Sequence, residues 1–284
     1  MTTTDDRRLA ALQAHLQRGN GYQARQEIER LLAPLREDPR RLEPFGFKVY
    51  SQNDEDGILE EIFRRLGVPR GRFVEIGVED GLECNSLYLL HKGWIGAWIE
   101  GDASRRAAIE STFGSIVDRR LTLAFGRVTA ENVDRLLRDL TGGVELDLLS
   151  IDIDGMDVYL FGALQAVRPK VVAIEYNAKW PAHLSKQPVY DAGHVWRGGD
   201  YMGSSLKALC ETATRQGYRL VGTNITGTNA FFVRQDLAGD LFAPDASPEA
   251  LYNPPRYWLW LDHFLHIGHR PSFGRYADLE PAAP

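Results

Sequence analysis

Short apolar runs separated by amphipathic stretches organise this chain. Phe73, Val74 and Ile76 form a β-branched and aromatic run, and residues 95 to 99, 121 to 125, 146 to 153 and 171 to 174 repeat the pattern. Runs that are apolar at nearly every position suit strands buried on both faces, as in a parallel sheet. Between them lie helical patterns over residues 104 to 113, over ENVDRLLRDL after Thr129, and over VYLFGALQAV after Asp157, with Thr129 and Asp157 as the expected caps. SLKALCETATRQG reads as a further helix, and residues 218 to 222 and 230 to 233 flank the turn-rich NITGTN as a hairpin. Strands joined through helices by right-handed crossovers build a doubly wound sheet that binds ligands at the carboxyl ends of its strands. The expected fold is therefore α/β, a doubly wound, mostly parallel seven-stranded sheet with a C-terminal antiparallel hairpin.

Ahead of the first strand the period is helical. Leu9, Leu12 and Leu16 form one run, Gly19-Asn20-Gly21 is expected to end it, and Ala24, Ile28, Leu31, Leu32 and Leu35 form a second run leading to Pro34. Residues 1–47 thus read as an N-terminal helical hairpin that packs on the sheet, covers the site or mediates a homodimer. Ile58, Leu59, Ile62, Phe63 and Leu66 make the apolar face of the next helix, with Ser51 and Asp54 as cap candidates and Asp54, Glu55 and Asp56 suited to its N-terminus. Gln52 and Asn53 are placed to face a ligand. Residues 48–240 form the main domain, and 241–284 a tail expected to pack over it, with a short helix near 257 to 265. The tail carries Tyr257, Trp258, Trp260 and Phe264 together with His263, His266 and His269.

Charge and cysteine content narrow the class. A net charge of -6 with no basic stripe argues against nucleic acid as the main partner. Two cysteines, Cys84 and Cys210, form neither a disulfide framework nor a zinc site, which points to a reducing cytoplasm. No apolar run is long enough to span a bilayer, so a membrane is not an expected partner.

The chemistry gathers at the end of the first strand. Glu75, Gly77 and Gly81 make an E-x-G-x-x-x-G turn entering a helix, where free N–H groups favour a carboxylate or phosphate. A dinucleotide wants G-x-G-x-x-G, yet its second glycine position is Glu79, and a carboxylate facing a pyrophosphate is repelled. Glu75 and the wider turn suit the amino-acid end of S-adenosylmethionine, and Glu100 stands where an acid accepts hydrogen bonds from ribose hydroxyls. A dinucleotide-dependent oxidoreductase and a non-catalytic binding module on the same fold remain the alternatives.

Asp152 and Asp154 lie two apart after the fourth strand, and Glu175 and Asn177 two apart after the fifth. Continued pleating turns each pair to one face, so four oxygen ligands converge for Mg²⁺ or another divalent cation. Without a cation, a general base is required. Lys179, His183 and His194 in the long loop from 178 to 202 are the candidates, and Tyr190, Trp196 and Tyr201 line an expected acceptor pocket.

Taken in order, YSQNDEDGIL, FVEIGVEDG, WIEGD, DLLSIDIDGMD, VVAIEYN, GSSLKAL and GYRLVGTNITGTNAFFVR resemble the S-adenosylmethionine-dependent methyltransferases with a Rossmann-like sheet, and among them the FkbM-like family. The resemblance covers about residues 48 to 236. It implies methyl transfer, usually to a hydroxyl of a sugar or a specialised metabolite of natural product biosynthesis. Carried onto this chain, it matches Glu75, Gly77 and Gly81 to the turn around the methionine moiety, Glu100 to the ribose and Asp152 to the acid facing the methyl-transfer site; Gln52, Asp102 and the backbone of Gly126 complete the expected cofactor set. The acid that many such enzymes place near adenine is missing here, where Phe125-Gly126-Arg127 stands.

Overall fold

The computed structural model describes residues 4–259 and 273. Its centre is a seven-stranded sheet in the order β3-β2-β1-β4-β5-β7-β6. The strands are β1 (Arg72–Ile76), β2 (Ile95–Glu100), β3 (Leu121–Phe125), β4 (Leu148–Ile151), β5 (Val171–Glu175), β6 (Tyr218–Thr223) and β7 (Asn229–Arg234). The first five pair in parallel, and β7 runs antiparallel between β5 and β6. This is the doubly wound, mostly parallel α/β sheet with a C-terminal antiparallel pair that the apolar runs predict.

Successive side chains along each strand enter opposite cores. Val74, Ile76, Leu149, Ile151, Val172 and Ile174 face α5 (Val133–Thr141), α6 (Asp157–Gly162) and α7 (Leu206–Arg215). Phe73, Leu148, Val171, Ala173 and Phe231 face α2 (Glu55–Arg65), α3 (Leu87–His91) and α4 (Arg106–Phe113). The period of two sorts a continuous apolar run between two layers of helix, and burial on both faces is the main stabilising term.

The N-terminus differs from the expected hairpin. Thr4–Leu35 is one helix, α1, and the chain passes through Gly19-Asn20-Gly21 without turning. Glycine in a helix interior costs only about 1 kcal/mol against alanine, so it permits a turn without imposing one. Among the described residues, the distal part of α1 is the part that joins a hydrophobic cluster: Leu32 packs with Ile225 and Leu259, flanked by Ile28, Leu31 and Leu35. Leu9, Leu12 and Leu16 are more than half exposed. Two expected caps are also corrected. Thr129 does not cap α5; its N–H donates to Asn132 Oδ1 at 2.8 Å. Asp157 lies inside α6, whose cap position is Met156. Ser205 caps α7, accepting from Ala208 N.

Of the tail, α9 (Pro248–Leu251), which follows the short α8 (Gln235–Ala238), and a 3₁₀ turn at Tyr257–Leu259 are described. Trp260, Phe264, His263, His266 and His269 lie outside the described residues. Among the described residues no helix is long and apolar enough to cross a membrane.

Candidate active site at the carboxyl edge of the sheet

The sheet changes winding direction between β1 and β4, and such a switch point opens a crevice at the strand ends. Gly77 leaves β1 at φ +83°, and a Cβ there would lie 1.7 Å from the carbonyl oxygen of Asp152. A Cβ on Gly81 would meet the Trp98 and Phe113 rings at 2.5 and 2.8 Å. These two glycines are therefore required by the close approach of the protein to itself. Gly126, at φ +144°, differs: a Cβ there would meet nothing within 4 Å.

Glu75 and Glu100 shape this crevice. Both oxygens of buried Glu75 are used by the following loop, Oε1 accepting from Asn85 N at 2.7 Å and Oε2 from Ser86 N at 2.9 Å and from the Ser86 hydroxyl. The acceptor expected for a ligand's ammonium is thus committed to the turn. Glu100 ties the turns after β1 and β2 together, Oε2 accepting from Glu79 N at 2.8 Å and Oε1 from Asp102 N at 2.7 Å. Each of its oxygens retains a second lone pair for a hydroxyl donor. Asp102 is exposed and spends its carboxylate on Ser104 N. Gln52 is exposed beside Asn53, and its side-chain oxygen accepts from the Asn53 amide at 3.3 Å.

Asp152, Asp154 and Glu175 converge, with one oxygen of each within 4.8 Å of the others. The route differs from simple pleating. Strand β4 ends at Ile151, and Asp154 sits in the left-handed region at φ 55°. Buried Asp157 holds that turn from behind, accepting from Ile153 N at 2.9 Å and Gly155 N at 2.8 Å. Asn177, the fourth expected ligand, is tied into the long loop. Its Oδ1 accepts from Lys179 N at 3.2 Å and its Nδ2 donates to Asp200 O at 2.8 Å, which pins the long loop.

Among the described residues no Lys or Arg pairs with any of the three carboxylates. Burial, followed by repulsion from the neighbouring acids, raises the pKa of both Asp152 and Glu175 well above the ordinary carboxyl range. Asp154 is raised by burial and by Glu79, against a lowering pull from His194. Burial also lifts Asp157 to about 6. A cluster of oxygens without a counter-charge suits a hard divalent cation or a cationic ligand group.

The base candidates separate. His194 reaches the cluster: its Nε2 lies 3.2 Å from Asp154 O, and its ring covers Gly155 at 2.8 Å from a Cβ built there. Arg127 holds that loop, donating to His194 O at 2.7 Å and Ala192 O at 3.3 Å. Lys179 is instead drawn to Asp200, at 2.8 Å from Oδ2. His183 is exposed. Tyr190 donates to Glu131 at 2.7 Å, while Trp196 and Tyr201 are 43% and 52% exposed.

One set of polar residues had no sequence reading as a site. Glu55, Asp54 and Asp56 are all buried at the start of α2. Asp56 Oδ2 accepts from the N–H groups of Val49, Tyr50 and Ser51, and burial raises its pKa to about 6. Ser51 does serve the helix start, its hydroxyl accepting from Asp56 N at 3.2 Å. Glu55 Oε1 accepts from the side-chain amides of Asn53, Asn224 and Asn229 at 3.1, 2.7 and 2.9 Å, and Oε2 from Asn53 N at 2.7 Å. The asparagines of NITGTN looked like turn formers; what distinguishes them is partnership across the fold.

The comparisons with family models and with curated proteins find no match. Among solved structures, the chain is similar to a Staphylococcus aureus protein provisionally assigned as a caffeoyl-CoA O-methyltransferase, at 15% identity over 73% of this chain and 91% of that one, TM-score 0.44. It is also similar to the O-methyltransferase TomG of Streptomyces achromogenes, solved with SAM, at 19% identity over 61% and 76% of the two chains, TM-score 0.40. A Thermotoga maritima spermidine synthase matches at 17% identity over 63% of this chain and 58% of that one, TM-score 0.36. Likenesses this loose transfer no chemistry.

Proposed function

We propose that this chain is an S-adenosylmethionine-dependent methyltransferase acting on an oxygen nucleophile, a hydroxyl of a small molecule or sugar, with a divalent cation such as Mg²⁺ at Asp152, Asp154 and Glu175. The observation that carries the reading is that Glu100, bonded to Glu79 N in the first turn, and three uncompensated carboxylates stand at the same carboxyl edge of the sheet. The order of motifs typical of the FkbM-like family supports it. The dinucleotide alternative is disfavoured by Glu79, a left-handed carboxylate-bearing residue at φ 52° in the turn where a pyrophosphate would lie.

Methyl transfer is an in-line displacement in which sulfonium charge disappears, so positioning and exclusion of water supply most of the rate. Glu100 would hold the ribose, and the backbone from Gly77 to Gly81 would hold the methionine end. Asp157 and Gly155 fix the turn that presents Asp152 and Asp154. His194, adjacent to that turn, would receive the acceptor's proton. A divalent cation, when bound, would lower the pKa of the acceptor hydroxyl.

Calorimetry with S-adenosylhomocysteine and with NAD tests the reading. Heat for the first and none for the second is expected; the reverse pattern, or silence with both, removes it.

A further inference from the structure

Glu175 and Asn229 are directly opposed across β5 and β7, so their side chains share the sheet face that meets α2. Both are more than nine-tenths buried, and each carries an oxygen with no hydrogen-bond partner, Oε2 of Glu175 and Oδ1 of Asn229. Buried oxygens of this kind are costly unless something else occupies them.

The direction of the Asn229 amide follows from chemistry. Glu55 offers only acceptors at this position, so Asn229 must present its NH₂ to Glu55, and does so at 2.9 Å. The carbonyl end is thereby turned away from Glu55. Asn224 fixes the same strand start, its Oδ1 accepting from Asn229 N and Thr228 N at 2.9 Å. Asn177, by contrast, has both amide ends occupied in its own loop.

We propose that Asn229 Oδ1 is the amide ligand of a divalent-cation site completed by Asp152, Asp154 and Glu175, and that Glu55 is the positioning residue that orients it. This rests on the cation part of the function proposed above and assigns the neutral ligand to β7 instead of the loop after β5. A neutral carbonyl there adds a hard oxygen without adding a further negative charge to a crowded cluster.

Mn²⁺ titration of the full-length chain, followed by the electron paramagnetic resonance signal of the free ion, tests this without any turnover. Asn229→Ala should weaken Mn²⁺ binding about tenfold or more, and Glu55→Gln by a similar factor although it touches no ion, because it frees the Asn229 amide to turn. Asn177→Ala should stay within about threefold of the parent chain, since Asn177 is no ligand in this scheme. Asn229→Ser, checked for folding by near-ultraviolet circular dichroism, serves if the alanine variant does not fold. Unchanged Mn²⁺ affinity in the Asn229 variants, or an equal loss in Asn177→Ala, overturns the assignment. No Mn²⁺ binding by the parent chain overturns it together with the cation reading, while heat with S-adenosylhomocysteine would leave methyl transfer standing.

Discussion

The carbonyl oxygen of Asp152 occupies the space in which a side chain on residue 77 would begin, 1.7 Å from the position of a Cβ. The end of β4 therefore rests on the bare backbone after β1, and the candidate catalytic acid takes its place from a glycine.

Gly77→Ala should accordingly lower the unfolding free energy by about 3 kcal/mol or more, since it combines a backbone collision with a positive φ. Gly126→Ala meets open space and should cost only the backbone strain of a φ of +144°, about 1–3 kcal/mol. Urea denaturation of the two variants, side by side, checks the contrast.

Asp157 supplies both acceptors for the turn that carries Asp154. Asp157→Ala leaves the buried Gly155 N–H and the half-buried Ile153 N–H without these partners, at roughly 1–3 kcal/mol for the buried one and less for the other. Loss of stability with a weakened Mn²⁺ signal is expected; stability lost with Mn²⁺ binding intact would mean that the turn is held by other contacts.

Stability should depend on pH in an uncommon direction. A carboxyl whose folded pKa exceeds its unfolded one binds protons more strongly in the native state, so its stabilising contribution is present below the unfolded value and lost as pH rises through the folded one. Asp56 and Asp157, both lifted to about 6, place that window between the ordinary aspartate range and pH 6, and Asp152 and Glu175, raised in the same direction by burial and neighbouring acids, add to it. Without added divalent cation, Asp152→Asn should make the chain more stable than the parent at pH 7 and leave little difference at pH 4. Mn²⁺ should stabilise the parent at pH 7 far more than at pH 5, because the ligands must be deprotonated. Denaturation midpoints across pH, with and without Mn²⁺, read this directly.

The three base candidates should part in a methyl-transfer assay with the acceptor that a screen of sugars and small metabolites supplies. His194→Ala should lower kcat about a hundredfold, the scale of a lost general base. Lys179→Ala and His183→Ala should remain within about threefold, as neither side chain is tied to the carboxylate cluster. Full activity in His194→Ala would remove it from the reaction.

The strands were legible because a sheet buried on both faces needs apolar residues at nearly every position, a requirement that 171 to 174 meets throughout and 148 to 151 breaks only at Ser150. Asp152, Asp154 and Glu175 were legible for a related reason: charged groups directly after a buried strand lie at the strand ends where doubly wound sheets bind ligands. Gly19-Asn20-Gly21 misled because a glycine's helical cost is small, and continuity was decided by the surrounding helix formers and the packing of Leu32. Asn177 marks another limit, since spacing says which face a side chain leaves from but not which hydrogen bonds it makes, here with Lys179 N and Asp200 O.

By itself the sequence determined the layers, the strand list and the edge on which the acids gather, because these follow from local periodicity and from the connection rules of parallel sheets. Only the tertiary structure decided that Gly77 makes room for Asp152, that Lys179 turns to Asp200, and that Glu55 meets Asn224 and Asn229 from far along the chain. Those are relationships between residues remote in sequence, and a buried polar atom finds its partner through the packing of whole elements, which no local pattern encodes.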